Sequence, residues 1–311
     1  MSKPPPANWL VLGGCGFIGR NFVKYLLDNN LAGDVRVADK RHPATAALSA
    51  DHKAALLHER VEFLMCDLSL DEFVDQAFST SRGGAPWDFV VNLVAETGFG
   101  KKEEFYAKGV AAAEKCAAAA AAAAGVKKLV LLSHAAVYKS ERHGSAGAEE
   151  GAPLAPWNEP AAFCAKAEAA ARAAAGALPL VVLRPAVVYG PGDTSGLMTR
   201  AVVASTFKAE RAKMEFLWDG GLKLSTVHVF DVARAIYFAA RKAAPGAGAS
   251  GRRQPQARAW LSRNLFFFSL RSRPARPRFA FARRSVQPGR QGRQRPGQGR
   301  RGHLCRHGRG D

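Results

Sequence analysis

The stretch of sequence that decides the fold is Leu12-Gly13-Gly14-Cys15-Gly16-Phe17-Ile18-Gly19. An apolar run precedes it at residues 9–12, and apolar residues with helical spacing follow it over residues 17–27. Glycines between a strand and a helix let the backbone turn sharply and approach a pyrophosphate closely. The helix that follows offers free N–H groups and the positive end of its dipole to phosphate. The stretch therefore predicts a dinucleotide-binding turn.

A carboxylate lies at the position where a dinucleotide-binding turn requires one. Asp39 ends a second predicted strand at 35–38, roughly 20 residues after the glycines, where it can hold both hydroxyls of an adenosine ribose. This favours NAD as the cofactor. Lys40 and Arg41 follow directly and can meet a 2′-phosphate, which leaves NADP open. The alternative is a structural turn followed by a solvated aspartate, which does not explain why both features stand in register.

Strand and helix patterns alternate through the rest of the first 185 residues. Further strands are predicted at 61–65, 89–93, 129–132 and 178–183, and helices at 102–124 and 161–175. Continuous Val and Leu runs indicate strands buried on both faces, as in a parallel sheet covered by helices. We predict an α/β fold, a Rossmann-like doubly wound parallel sheet. Its parts are an NAD(P)-binding domain at 1–185, a small, truncated substrate-binding part at 186–250 and a disordered basic tail at 251–311.

The formal net charge of +19 lies almost entirely at one end of the chain. Residues 251–311 hold 17 arginines and one aspartate, whereas residues 1–250 hold 28 lysines and arginines against 25 aspartates and glutamates. A basic tail can bind nucleic acid through counterion release. Its five phenylalanines, however, lie away from its Arg-Gly-Gln block. We therefore do not expect nucleic acid as a partner.

The basic tail has a second explanation in the codons that can encode it. A one-base shift in GC-rich codons from residue 286 onward yields a peptide of mixed charge that ends in a helix-like apolar pattern. Pyrimidine-rich codons, as at the end of an intron, can encode residues 266–285. We hypothesise that residues 251–285 translate a retained intron and that 286–311 are read out of frame, which would leave apolar surface exposed on the substrate side. Transcript sequencing across codons 245–290 tests this hypothesis, and unspliced coverage in every message would contradict it.

Composition excludes several other classes of protein. The five cysteines are scattered without a C-x-x-C pair, which argues against a disulfide framework or a metal site and fits a reducing compartment. The first residues contain no apolar segment of the kind that signal peptides carry. The longest apolar run, eight alanines at 117–124, is too short to span a membrane. We expect a cytoplasmic protein without a metal or a membrane partner.

Further segments strengthen the interpretation as a cofactor-binding enzyme. They are Cys66-Asp67-Leu68, Val91-Asn92-Leu93-Val94-Ala95-Glu96, residues 133–138, residues 183–193 and residues 227–235. In this order and with ordinary spacing, they resemble the motifs of the extended short-chain dehydrogenase/reductase family, in its NAD-dependent epimerase/dehydratase branch. The resemblance covers about residues 8–250.

The resemblance implies a set of cofactor contacts and partners. It assigns NAD binding to Gly13, Gly16, Phe17, Ile18, Gly19, Asp39, Asp67, Leu68, Leu93, Val94, Ala95, Lys166 and Pro185. It also implies a homodimer and a small substrate, such as a sugar nucleotide or another hydroxy or carbonyl compound. The segment 190–226 would line the substrate pocket, and its basic residues suit a nucleotide diphosphate or simply a solvated helix face. These residues, with one tryptophan, are Arg200, Lys208, Arg211, Lys213 and Trp218.

The catalytic pattern of that family is broken in this chain. The family places a Tyr four residues before a Lys on one helix face, where the Lys charge lowers the phenol pKa. Lys166 fits the lysine, but Ala162 stands four residues earlier and Phe163 three. The Ser or Thr of the family falls on His134, beside Ser133.

Three alternatives follow for this site. The chain can be a nucleotide-binding scaffold or sensor without catalysis, in which Lys166 survives as a ribose ligand. His134 can take over as acid or base, since its ordinary pKa suits neutral pH. Another tyrosine, such as Tyr189, can reach the site. The candidate catalytic residues are therefore Lys166, His134 and Ser133.

Overall fold

A computed structural model describes residues 5–139, 152–215 and 224–242. Six strands form one sheet: β1 (Ala7–Leu12), β2 (Ala32–Asp39), β3 (Val61–Met65), β4 (Phe89–Asn92), β5 (Lys128–Leu132) and β6 (Leu180–Leu183). All neighbouring pairs are parallel, in the order β3-β2-β1-β4-β5-β6. The order reverses between β1 and β4, and ligands of such sheets bind outside the carboxyl ends of the strands at that point. The predicted doubly wound parallel sheet is confirmed.

Helices cover both faces of this sheet. They are α1 (Phe17–Asp28), α2 (Ala50–Leu56), α3 (Asp71–Phe78), α4 (Glu103–Ala122), α5 (Glu159–Ala174) and α7 (Val229–Arg241). Trp9 and Val11 of β1 belong to the core with α1 and α7, whereas Leu10 and Leu12 belong to the core with α3, α4 and α5. Alternate residues of one strand thus pack into two different apolar cores. This explains the continuous apolar runs in the sequence of such strands.

The long alanine-rich helix forms almost as predicted. It spans Glu103–Ala122, and Gly125, predicted as its stop, follows with a φ of +94°. Its small side chains, among them Ala113 and Ala117, are buried in the core that α4 shares with α5. The alanine run is therefore packing surface as well as helix former.

The part of the chain that follows β6 is small in the described residues. A two-stranded parallel sheet joins β7 (Val187–Tyr189) to β8 (Thr226–His228), and α6 (Leu197–Ala209) lies between them in sequence. None of the residues of α6 is buried, and its exposed apolar side chains include Met198, Val202, Val203 and Phe207. The hypotheses on residues 251–311 and on Trp218 lie outside the described residues. Within the described ranges, no helix is long and apolar enough to cross a membrane.

Candidate cofactor and substrate site

The glycine turn is a close-packed cradle between β1 and β4. Gly13 has a φ of +81°, and a Cβ on it would lie 3.2 Å from the carbonyl carbon and oxygen of Leu93. A Cβ on Gly19 would lie 2.5 Å from the carbonyl oxygen of Gly13. The N–H of Leu93 donates to the carbonyl of Leu12 at 2.9 Å, which fixes the two strand ends together. Side chains at these glycines would push the turn open, so the sequence has glycine for a steric reason.

Helix α1 opens towards the cradle without a side-chain cap. Its N-cap residue is Gly16, and no side chain among the described residues caps its first turn. Phe17 and Ile18 of that turn are half-buried. Uncapped N–H groups at the positive end of a helix dipole are an anion site, and the glycines leave a pyrophosphate room to reach them. The predicted turn therefore fits the diphosphate of a dinucleotide.

Asp39 is tied to the glycine turn. Its Oδ2 accepts the N–H of Cys15 at 2.9 Å, and its Oδ1 accepts the N–H of Arg41 at 2.9 Å. Burial, reinforced by Asp39, raises the pKa of the Cys15 thiol to about 12, so the thiol stays neutral. The backbone bonds hold the Asp39 carboxylate at the end of β2, while the side chains of Lys40 and Arg41 are exposed.

Asp67 is held as a carboxylate at the end of β3. Burial alone would raise the pKa of Asp67, but hydrogen bonds from Ser69 and the charges of Lys108 and Lys40 outweigh it and lower the pKa. The Ser69 hydroxyl donates to Oδ1 at 2.7 Å, and the Lys108 ammonium lies 3.9 Å from Oδ2. Leu68 is buried in the core with α3 and α4.

The ends of β4, β5 and β6 also meet at this edge. Leu93 and Val94 are half-buried and Ala95 is exposed after β4. The carbonyl of the buried Pro185 accepts the N–H of Ala135 at 2.9 Å, which brings the chain after β6 beside the chain after β5. The structure thus places the predicted contacts that follow β1, β2, β3, β4 and β6 along one edge of the sheet, whereas Lys166 lies on α5.

His134 is fixed by its own backbone turn. It is the N-cap of a short 3₁₀ helix, Ala135–Val137, and its Nδ1 accepts the N–H of Ala136 at 2.9 Å. A neutral ring with Nδ1 as acceptor carries its proton on Nε2. Burial lowers the pKa of His134, which favours this neutral form.

Ser133 faces a small cavity next to the end of β5. It lines a cavity of about 20 Å³ between α4 and α5, together with Tyr106, Phe163 and Cys164. Its Oγ is buried there without a hydrogen-bond partner among the described residues.

Lys166 lies outside that cavity. Its side chain is exposed, and its Nζ lies 4.1 Å from the centre of the Phe163 ring. Phe163 in turn stacks on Tyr106, with ring centres 5.4 Å apart. Tyr189 is half-buried at the end of β7, with its ring 5.2 Å from that of His228. The described structure brings no tyrosine hydroxyl into contact with Lys166.

The family model of the NAD dependent epimerase/dehydratase family matches residues 9–250. The chain belongs to this family. The matched range runs from β1 through α7, so it includes the glycine turn and every predicted site residue. The resemblance predicted from the motifs is confirmed.

Several solved structures of epimerases and dehydratases share the fold of this family member. The chain is 26% identical to UDP-glucose 4-epimerase of Thermus thermophilus in complex with NAD, covering 76% of this chain and 75% of that one with a TM-score of 0.60. For dTDP-glucose 4,6-dehydratase of Bacillus anthracis with NAD, the identity is 25%, the coverage 76% and 72%, and the TM-score 0.60. For the dTDP-glucose 4,6-dehydratase DesIV of Streptomyces venezuelae with NAD and TYD, the identity is 27%. The match covers 74% of this chain and 70% of that one, with a TM-score of 0.61.

A curated relative is similar over part of its length. The low-salt glycan biosynthesis protein Agl12 of Haloferax volcanii is 32% identical over 189 residues, which cover 58% of this chain and 57% of that protein. The chain thus matches little more than half of this relative.

A buried ion pair in this chain was not predicted from sequence. Glu168 of α5 is 1% exposed and pairs with Arg184, whose Nε donates to Oε1 at 2.9 Å and whose Nη2 contacts Oε2. Arg184 Nη1 also donates to the Tyr138 hydroxyl at 2.5 Å, and Glu168 raises the pKa of the guanidinium. The sequence signal for this pair was a single acidic residue within the alanine-rich second half of α5.

Proposed function

We propose that this chain binds NAD at the glycine turn and catalyses hydride transfer on a sugar nucleotide. The observation that carries the proposal is the cradle of Gly13 and Gly19 against Leu93, opposite an uncapped helix N-terminus. NAD, when bound, supplies the hydride acceptor. The named structural relatives act on UDP-glucose or dTDP-glucose and were solved with NAD, which supports both the cofactor and the substrate class.

NAD rather than NADP follows from the fixed carboxylate of Asp39. Both of its oxygens accept backbone N–H groups, so the negative charge cannot swing away from the ribose position. A carboxylate there accepts ribose hydroxyls and repels a 2′-phosphate. Asp67 and the backbone of residues 93–95 are proposed as contacts of the adenine and of the remaining cofactor. The homodimer is proposed from the family alone.

His134 is proposed as a hydrogen-bond donor to the reacting oxygen of the substrate. Because Ala136 occupies Nδ1, the neutral ring presents Nε2–H, which can donate but cannot accept a proton. The geometry therefore favours a polarising role over the acid or base role that the sequence suggested. Lys166 is proposed to hold the cofactor ribose by leaving its contact with Phe163.

Replacing His134 by asparagine is expected to slow turnover about 100-fold, the usual effect of removing one such donor. Asparagine keeps an acceptor for the Ala136 N–H but lacks Nε2–H, so the turn stays intact. The measurement is single-turnover absorbance of the reduced nicotinamide with UDP-glucose or dTDP-glucose, and NAD affinity should stay unchanged. His58→Asn, at an exposed histidine, is the matched control. Wild-type rates in His134→Asn would contradict the donor role.

A second function, a nucleotide-binding scaffold without catalysis, is favoured by one observation. No hydroxyl group stands at Ala162 or Phe163, and the Phe163 ring is stacked between Tyr106 and Lys166. NAD binding without any reduction by either sugar nucleotide would support the scaffold. Turnover that is lost in Lys166→Ala and kept in His134→Ala would instead leave an enzyme in which His134 has no role.

A further inference from the structure

Three buried polar side chains meet directly after the glycine turn. Arg20 is 4% exposed and Asn21 1% on α1, and His52 is 3% exposed on α2. Asn21 Oδ1 lies 3.2 Å from His52 Nε2. We call these residues the Arg20–Asn21–His52 network. Burying three such groups is unfavourable unless each has hydrogen-bond partners, so the partners show what the network holds.

The network holds the turn that follows β7. Asn21 Nδ2 donates to the carbonyl of Pro191 at 3.0 Å, and Arg20 Nη2 donates to the carbonyl of Gly192 at 3.3 Å. Gly192 has a φ of +89°, and a Cβ on it would lie 3.4 Å from Arg20 Nε and 3.5 Å from His52 Cε1. The turn at 190–193 is therefore bonded to two members of the network and lies close to the ring of the third.

The same turn begins helix α6. Asp193 Oδ1 accepts the N–H groups of Ser195 and Gly196 at 3.1 and 2.6 Å, and its Oδ2 accepts that of Met198 at 3.1 Å. These bonds satisfy the free N–H groups at the start of α6. Since none of the residues of α6 is buried, its position depends on this turn more than on packing.

Arg20 also contacts the segment between β2 and α2. Its Nη1 donates to the carbonyls of Ala46 and Ala47 at 3.3 and 3.2 Å, in the segment that leads from β2 to α2. Ala47 has a φ of +49°, an unfavourable conformation for alanine that this bond helps to hold. One guanidinium thus joins α1, the segment after β2 and the turn before α6.

The hydrogen bonds fix the protonation state of His52. Asn21 Nδ2 is a donor to Phe17 and Pro191, so its Oδ1 is the acceptor of His52 Nε2–H. His52 Nδ1 then accepts from the Ser49 hydroxyl at 2.9 Å. All of these hydrogen bonds are therefore formed while the His52 imidazole is neutral.

A second proton on His52 would place a positive charge beside a buried guanidinium. The charged groups that face the ring are Arg20 and Lys24 on α1 and Asp51 on its own helix. Burial, then Arg20 and Lys24, lower the pKa of His52, and Asp51 offsets only part of this. The folded state therefore loses stability as the pH falls below the ordinary histidine value near 6.5.

We propose that the Arg20–Asn21–His52 network positions the turn at 190–193 and helix α6 against the cofactor-binding helix, and that protonation of His52 releases them. A role of the turn and α6 in substrate binding rests on the proposed function. The positioning itself follows from the contacts alone.

Hydrogen exchange of the full chain tests the proposal without a substrate. Peptides from 190–209 are compared at pH values about one unit above and one unit below 6.5, after correction for intrinsic rates. In the wild type we expect exchange in these peptides to rise at least about threefold at the lower pH, with little change in β1 and β4. The absence of this rise would overturn the proposal.

The variant His52→Gln separates the network from other titrating groups. Glutamine keeps an amide donor for Asn21 but cannot be protonated, so the pH-dependent rise in 190–209 should disappear. His58→Gln, at an exposed histidine, should behave as the wild type. An unchanged rise in His52→Gln would also overturn the proposal.

Titration with UDP tests separately whether the network affects substrate binding. If the proposed function holds, UDP affinity should fall at the lower pH in the wild type and not in His52→Gln, while NAD affinity stays equal in the two proteins. If neither UDP nor dTDP binds at either pH, the proposed substrate class fails, and the exchange result still decides the positioning role.

Discussion

Replacing Glu168 by glutamine is expected to lower the free energy of unfolding by about 3–5 kcal/mol, since it leaves a buried charge unpaired. The Arg184 side chain is 15% exposed, and its other hydrogen-bond partner is the neutral Tyr138 hydroxyl. Because only 15% of its side chain is exposed, solvent compensates the guanidinium only in part once the carboxylate is gone. Urea unfolding followed by circular dichroism measures the loss.

Two further variants show whether the loss belongs to this pair. Asp231→Asn breaks an exposed ion pair with Arg234, 3.5 Å long, and should change stability by less than about 1 kcal/mol. Glu168→Met combined with Arg184→Met removes both charges and should recover much of the stability lost by either change alone. A loss of under about 1 kcal/mol in Glu168→Gln would show that the pair does not hold α5 to the end of β6.

Replacing Gly13 by alanine is expected to weaken NAD binding at least tenfold, which corresponds to about 1.4 kcal/mol. The new Cβ would lie 3.2 Å from the backbone of Leu93 and occupy a backbone conformation with φ +81°. The turn must therefore move away from β4, and the N–H groups of α1 lose their position. Calorimetric titration with NAD measures the effect.

Gly84→Ala separates close approach from backbone strain. Gly84 has a similar φ of +71°, but a Cβ on it would meet no described atom within 4 Å. This variant should lose about 1–2 kcal/mol of stability, the usual effect of a left-handed alanine, and keep NAD affinity. Equal NAD affinity in Gly13→Ala and the wild type would contradict the assigned cradle.

The fold was predictable because local signals repeat along the chain. Strands β1, β5 and β6 contain continuous apolar runs, and the glycine turn marks the first crossover. Helices α2 and α3 were not predicted, since they are only 7 and 8 residues long and do not reach three turns. Their signals are local, such as the Ser49 hydroxyl that accepts the N–H of His52 at the start of α2.

The site was predictable only where it depends on backbone shape. Gly13 and Asp39 could be placed because their spacing is set by one crossover. Glu168 pairs with Arg184, Arg20 with Gly192 and His52 with Asn21, and each pair joins different elements, so no pattern in the sequence links them. The role of His134 depends on which ring nitrogen meets Ala136, and that bond is visible only in three dimensions.

Calorimetric titration of the full chain with NAD tests the central claim most directly. We predict saturable binding at one site per chain, with a dissociation constant between about 1 and 100 μM, and competition by ADP-ribose. No saturable binding to a chain that circular dichroism shows to be folded would contradict the assignment of the turn at Gly13–Gly19 as an NAD site.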